Sequence, residues 1–304
     1  MKFINLKTKA EVESLSSPSV LCIGNFDGVH LGHRQLVDEV LKQTLYLKPK
    51  WPDLVSCVWF FNSNYYKSVK EIFSLDEKLD VFASLGLDYA IIADFTEMQN
   101  LSPNEFVSDV LIRDCKCIHV VCGENFRFGK KASGDAALLS DLMCKRASIV
   151  PLLTFDSDII SSTYIRQLLS VGLVEKANRL LGSNYMISEV VVHGKKLGRT
   201  IGIPTINQNV LSKCFILKNG IYITACTIDG NLYPAVTNVG VRPTVDQDGV
   251  QNVETHVIGF NGDCYEKTVK IEFLSKIRDE MTFDSVIDLK AQIEQDIAVA
   301  KQYF

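Results

Sequence analysis

Val20-Leu21-Cys22-Ile23-Gly24-Asn25-Phe26-Asp27-Gly28-Val29-His30-Leu31-Gly32-His33 decides how this chain is read. Four apolar residues make a short buried strand, a glycine-rich turn follows, and the pattern beyond it is helical. Glycines at 24, 28 and 32 allow positive φ and close backbone approach. The coming helix offers unpaired N–H groups and the positive end of its dipole, so the turn suits phosphate. His30 and His33 stand where they would meet a phosphoryl group. Alone, two histidines three apart read as ordinary surface residues. Three glycines and Asp27 in the same turn shift the reading toward a ligand.

The chain has 304 residues, 47% hydrophobic and 22% charged, with a formal net charge of −4. That length allows two domains with sizeable cores, and that composition excludes a disordered chain. A mildly acidic balance gives no general attraction to nucleic acid or anionic membrane. The first 13 residues lack the apolar centre of a signal peptide, and no run approaches the ~20 apolar residues that span a bilayer. The expectation is a cytoplasmic protein without nucleic-acid or membrane partners. Nine scattered cysteines with no C-x-x-C pair point to reduced, mostly buried thiols rather than zinc.

Up to about residue 182, apolar runs alternate with helical patterns. Val20 to Ile23, Val55 to Phe61, Tyr89 to Ala93, Ile118 to Cys122 and Ile149 to Leu153 read as strands buried on both faces. Ser74-Leu75-Asp76-Glu77 and Ser102-Pro103-Asn104-Glu105 are capping boxes opening helices, and Gly86 is placed to stop the first. Alternation of this kind predicts a doubly wound parallel sheet in an α/β domain, with ligands beyond the carboxyl ends of the strands. After residue 184 the texture becomes short strands and turns, predicting a small antiparallel β-barrel. Asp229-Gly230 marks one hairpin, and Asn261-Gly262-Asp263 a second, joining Glu254 to Phe260 with Val269 to Phe273. Val286, Leu289, Ile293 and Ile297 form the apolar stripe of a C-terminal helix covering a mouth or side of the barrel. The expected domains are 1–183 and 184–304.

Two further segments fall where this architecture puts ligands. Gly123-Glu124-Asn125-Phe126-Arg127-Phe128-Gly129 follows a strand, and its aromatics either stack on a flat ring or belong to the core. Ser161, Ser162 and Thr163 open a helix carrying Arg166 one turn in, either a plain cap or a second phosphate clamp.

At these places the chain resembles the bacterial bifunctional riboflavin kinase/FMN adenylyltransferase (FAD synthetase) family, nearly end to end. Gly24 to His33 matches its G-x-F-D-G-x-H-x-G-H nucleotidyltransferase signature. The resemblance implies a Rossmann-like first domain in which His30 and His33 face the ATP phosphates, with Gly24, Phe26, Asp27 and Gly28 in the same site. It also implies that Asn125 and Phe128 hold flavin and nucleotide, and that Ser161, Ser162, Thr163 and Arg166 contact the outgoing pyrophosphate. His193 to Asn207 matches G-x-x-x-G-R-x-x-G-x-P-T-x-N of the kinase module. There Gly194, Lys195, Gly198, Arg199, Gly202 and Pro204 would wrap the triphosphate, and Thr205 and Asn207 would offer oxygens to Mg²⁺. Val253-Glu254-Thr255-His256 matches V-E-T-H, making Glu254 the base for riboflavin's 5′-hydroxyl, with Arg278 a flavin-side contact. Asn238 to Thr244, including Arg242, resembles a further family segment.

The implied function is ATP-dependent conversion of riboflavin to FMN and of FMN to FAD, with Mg²⁺ as cofactor and homo-oligomerisation left open. Departures are Asn62-Ser63-Asn64 where the family has Pro-His-Pro, Asn125 for Asp, Glu189 for Gly and Ile206 for Ala. The missing histidine keeps a second reading open, a riboflavin kinase with a vestigial first domain. A third is a non-catalytic flavin-binding protein, against which Thr205, Asn207 and Glu254 argue.

Overall fold

The structure, a computed structural model, describes residues 1–6, 15–62, 70–194, 197–210, 217–241 and 251–304. Lys195, Lys196, Ser63, Asn64 and the 242–244 part of the Asn238 segment lie outside the described residues. Packing divides the chain into two compact units, residues 1–69 with 78–161 and residues 70–77 with 162–304. The helices of 162–181 therefore pack with the second unit, ahead of the 183/184 boundary read from the sequence.

The first unit holds a six-stranded sheet with every pairing parallel. Its strands are β1 (Lys2–Leu6), β2 (Ser19–Ile23), β3 (Val55–Phe61), β4 (Tyr89–Ala93), β5 (Cys117–Gly123) and β6 (Ala147–Val150), in spatial order β1-β4-β3-β2-β5-β6. All of β2 is buried, as a strand covered on both faces must be. From β2 the chain steps to β3 and β4 on one side, then returns to β5 and β6 on the other. This reversal opens a crevice at the carboxyl end of β2, where the Gly24 to His33 turn begins.

Two strands differ from the sequence reading. β6 ends at Val150 rather than Leu153, because Pro151 has no N–H to give to the ladder. β1, Lys2-Phe3-Ile4-Asn5-Leu6, has no counterpart in that reading, since a short strand at the sheet's edge carries neither a continuous apolar run nor a clean alternation.

Helix α1 (Leu31–Leu47) follows the turn. Helix α2 (Leu75–Ser84) opens with the expected reciprocal cap, Ser74 N donating to Glu77 Oε2 at 2.7 Å and Glu77 N to Ser74 Oγ at 3.3 Å. Gly86 follows it with φ +87°. The second capping box, at Ser102 and Glu105, is also formed, but its helix widens to π geometry over Phe106–Asp114.

In the second unit α3 (Ser162–Ser170) and α4 (Val174–Leu181) pack on a closed antiparallel barrel. Lys218 N donates to Leu169 O at 3.0 Å, and Asn178 ties Tyr185 N and Phe273 O at 2.7 and 2.8 Å. The barrel strands are β7 (Tyr185–Val192), β8 (Ile206–Val210), β9 (Gly220–Ile228), β10 (Asn231–Val241), β11 (Gln251–Val257) and β12 (Thr268–Arg278), in ring order β7-β8-β11-β10-β9-β12. Inside it, Thr237 Oγ1 shares hydrogen bonds with Thr224 at 2.7 Å and Thr255 at 2.9 Å, so three buried hydroxyls satisfy one another. Asp229 and Gly230 take φ 50° and 81°, the double positive φ of a tight hairpin joining β9 to β10.

The second expected hairpin does not form. β11 pairs with β8 and β10, and β12 with β7 and β9. The intervening segment crosses the barrel instead, turning on Gly259 (φ +79°) and on Asp263 Oδ1, which accepts Tyr265 N at 3.0 Å. A polar Asn-Gly-Asp turn marks a change of direction without saying which strands it joins. The terminal helix α5 (Val286–Tyr303) is capped by Ser285 and covers the side of the barrel through Ile297 and Ala300, against Ile223 and Val236. Its first turn stays exposed at Val286, so only the later part of the expected stripe is covered by barrel. The eight described cysteines are free, and all but Cys144 are buried.

Candidate active sites

The turn after β2 is strained in a way its glycines did not announce. Of its three glycines only Gly28 has positive φ (79°), while the non-glycine residues Phe26 and Val29 also take positive φ, 49° and 42°. A β-branched residue in the left-handed region is costly and persists only where its surroundings dictate it. Those surroundings are present, since Phe26 and Val29 are fully buried and Arg34 Nε donates to Val29 O at 3.2 Å. Gly24 and Gly32 serve close approach instead. A Cβ on Gly24 would sit 3.2 Å from the Phe26 ring, and one on Gly32 would sit 3.3 Å from the His30 ring.

His30 caps α1, its Nδ1 accepting His33 N at 3.4 Å, which leaves Nε2 as the protonated, donating nitrogen. The two imidazoles stack with centroids 3.6 Å apart and planes at 15°. Burial pushes His30 down to about 4. His33 is held well below its ordinary value by burial, then by His30 and by the Lys78 ammonium. Both rings are therefore neutral at pH 7, and they meet an anion as N–H donors rather than as cations. Phe26 braces them, 5.1 Å from His33 and 5.5 Å from Phe82, so Phe26 and the buried Asp27 and Gly28 lie inside the turn.

Beside this turn lies a cleft of about 650 Å³, lined by Gly24, His33, Trp59, Asn125, Phe126 and Phe128 among others. His33 reaches its wall and His30 stacks against His33. Phe126 and Phe128 lie nearly parallel, 5.7 Å apart, with Phe128 buried against Phe106 and Phe126 more open. Phe128 is thus chiefly core, and Phe126 is the ring available to a flat ligand. Asn125 is exposed at the rim. Two residues absent from the sequence reading emerge here. Trp59 Nε1, like His33 Nδ1, is buried without a hydrogen-bond partner among the described residues, and Lys78 is 1% exposed with its ammonium 5.5 Å from the Phe60 ring centre.

In the second unit the polar residues stand on the outer wall of the barrel. Asn207, Glu254 and Asn238 are register partners across β8, β11 and β10, so they share one face. That face opens into a cleft of about 300 Å³ walled by Thr205, Glu254, His256, Arg278, Leu289 and Ile293 among others. A neighbouring cleft of about 590 Å³ is lined by Arg199, Pro204, Thr205 and Tyr265. Thr205 belongs to both. A Cβ on Gly194 would lie 2.5 Å from the Asn207 amide, and one on Gly198 would lie 2.3 Å from Ile203 O, so neither position admits a side chain. Gly202 meets nothing but has φ +83°, which calls for glycine for conformation alone. His256 Nδ1 lies 2.8 Å from Pro204 O, pinning the loop that carries Thr205.

Arg278 is already paired. Its Nε and Nη2 donate to Asp296 at 3.1 and 2.7 Å, Gln292 also donates to that carboxylate, and Asp296 is 2% exposed. The guanidinium therefore lashes β12 to α5 and presents to the cleft a face shared with the Phe283 ring, 5.9 Å away. Arg166 donates to Thr163 Oγ1 at 3.4 Å at the start of α3, while Ser161 and Ser162 are half-buried there. Sequence reasoning also missed Asp296 and Asn252. Asn252 lies two residues before Glu254, the spacing that puts strand residues on one face.

Two protein families match successive stretches of the chain. The FAD synthetase family matches residues 12–164, and the riboflavin kinase family residues 181–304. The chain is 32% identical over 305 residues to the bifunctional riboflavin kinase/FMN adenylyltransferase of Bacillus subtilis, covering 96% of this chain and 95% of that protein. It is 34% identical over 296 residues to the Escherichia coli K12 protein of the same description, covering 94% and 92%. The chain belongs to the bifunctional riboflavin kinase/FMN adenylyltransferase family. A crystal structure described as a macrolide-efflux protein from Streptococcus pneumoniae matches 99% of each chain, with TM-score 0.88 and 30% identity. In the present chain, no helix among the described residues is long and apolar enough to cross a membrane.

Proposed function

We infer that this chain phosphorylates riboflavin to FMN at the barrel and adenylylates FMN to FAD at the α/β crevice. Its division of labour would follow the sequence boundary, 184–304 for the first reaction and 1–183 for the second. The observation that carries the reading is the presence of both families in order on one chain, each over a cleft of suitable chemistry.

At the barrel, Glu254 accepts the proton of riboflavin's 5′-hydroxyl, the freed oxygen bonds to the γ-phosphorus of ATP, and ADP leaves. The isoalloxazine ring would lie against Leu289, Ile293 and Arg278, with the nucleotide on the Arg199 and Pro204 side. Lys195 would join the triphosphate loop. No group of three or more His, Cys, Asp or Glu able to hold a metal occurs among the described residues, while Asn238 Oδ1 and Asn252 Oδ1 are unpaired buried acceptors. A sparse set of neutral oxygens fits Mg²⁺, which keeps waters and phosphates as most of its ligands. Bound through Thr205 and Asn207, that ion would neutralise charge on the β- and γ-phosphates.

At the crevice, the FMN phosphate bonds to the α-phosphorus of ATP and the bond to pyrophosphate breaks. The nucleophile is already anionic and needs no base. His30 Nε2–H and His33 donate to the oxygens that gain charge, assisted by the N-terminus of α1. Following riboflavin with MgATP by chromatography should show FMN and then FAD. FMN accumulating with no FAD would leave only the kinase half of the proposal, and binding without turnover would end it.

A further inference from the structure

The geometry points to Asn252 as a positioning residue that fixes the Glu254 carboxylate for proton abstraction. This rests on the reading of Glu254 as the kinase base. Asn252 Nδ2 donates to Glu254 Oε1 at 2.8 Å, and the Asn252 side chain is 7% exposed, on the same face of β11 two residues away. Its Oδ1 has no partner among the described residues. The amide cannot be reversed without loss, since that would set an amide oxygen 2.8 Å from a carboxylate oxygen, replacing attraction by repulsion. The register partner of Asn252 on β8 is Asn209, whose buried Oδ1 likewise has no hydrogen-bond partner among the described residues. Asn252 thus occupies one lone-pair direction of Oε1 and leaves Oε2 to take the substrate proton.

The other ionisable groups on the cleft are His256, Arg278, Glu280 and Asp296. Arg278 and Asp296 are paired with each other, and His256 is bonded to Pro204 O. Among the described residues, Asn252 is the one whose side chain is hydrogen-bonded to the Glu254 carboxylate, at 2.8 Å.

The test is kcat and KM of FMN formation for the wild type and for Asn252→Ala, Asn252→Asp and Glu254→Gln, with thermal unfolding as the control for folding. In Asn252→Ala kcat should fall about tenfold, as expected for losing a charge-assisted hydrogen bond. In the nearly isosteric Asn252→Asp, whose side chain has no amide to donate to Glu254, it should fall further. KM for riboflavin should change little in either. An unchanged kcat in Asn252→Asp, or a loss carried by KM instead, would overturn the inference and leave Asn252 a packing residue. Full FMN formation by Glu254→Gln would instead overturn the reading of Glu254 on which it rests. Should Asn252→Ala not fold, as seen by loss of its unfolding transition, Asn252→Asp alone decides.

Discussion

In the first unit the groups facing the crevice belong to a strained turn and a helix start, whereas in the second they stand on the outer wall of a regular barrel. The first site holds its imidazoles neutral by burial, so in the proposed reaction they would act as oriented N–H donors beside a helix dipole. The second places a half-buried carboxylate between two asparagines, where cross-strand register alone sets the spacing. An anionic nucleophile needs only stabilisation of developing charge. A hydroxyl nucleophile also needs somewhere to leave its proton.

The largest separation of the two sites should come from Glu254→Gln. Loss of a general base costs ~10²–10⁴-fold, so FMN formation should collapse while FAD formation from supplied FMN persists, measured on the same preparation. A fall in both would break the comparison. His30→Ala should do the converse, lowering FAD formation roughly a hundredfold through a lost transition-state donor and leaving FMN formation intact.

The third prediction concerns pH. The fold lowers the pKa of His30 from 6.5 to about 4, so its neutral form is favoured in the native state. The associated stability is fully present above pH 6.5 and is lost as pH falls toward 4, amounting to about 3 kcal/mol by linkage. Thermal unfolding followed from pH 7 to 4 should fall more steeply for the wild type than for His30→Gln; parallel curves would show that the imidazole is not held neutral. The smallest effect is expected for Asp296→Asn, which keeps one acceptor for Arg278 but removes the charge. It should cost about 2 kcal/mol in stability, in the range for hydrogen bonds to charged groups, and raise KM for riboflavin without touching FAD formation.

Much of this was legible in the chain. Four of the five expected sheet strands, both capping boxes and the Asp229-Gly230 hairpin followed from local chemistry, because a cap or a tight turn is decided by residues adjacent in sequence. The missed β1 and the false hairpin at Asn261 were long-range matters. Whether β11 meets β12 depends on β7 and β8 entering between them in the closed ring, and no residue near 261 encodes that. In the sites, residue types were readable but their states were not. That Phe26 and Val29, rather than Gly24 and Gly32, carry the positive φ, that the histidines are neutral, and that Arg278 is engaged by Asp296 all depend on burial created by distant segments. Asn252 is the exception, since its two-residue offset from Glu254 on a strand already implied a shared face.

The ring closure of the barrel has a further consequence. Every barrel strand has a neighbour on both sides, whereas the parallel sheet stops at β1 and β6. Strand-to-strand association between copies during refolding at high concentration should therefore begin in the amino-terminal half, and capping charges introduced on Ala147 to Val150 would suppress aggregation more than any change on the carboxy-terminal strands.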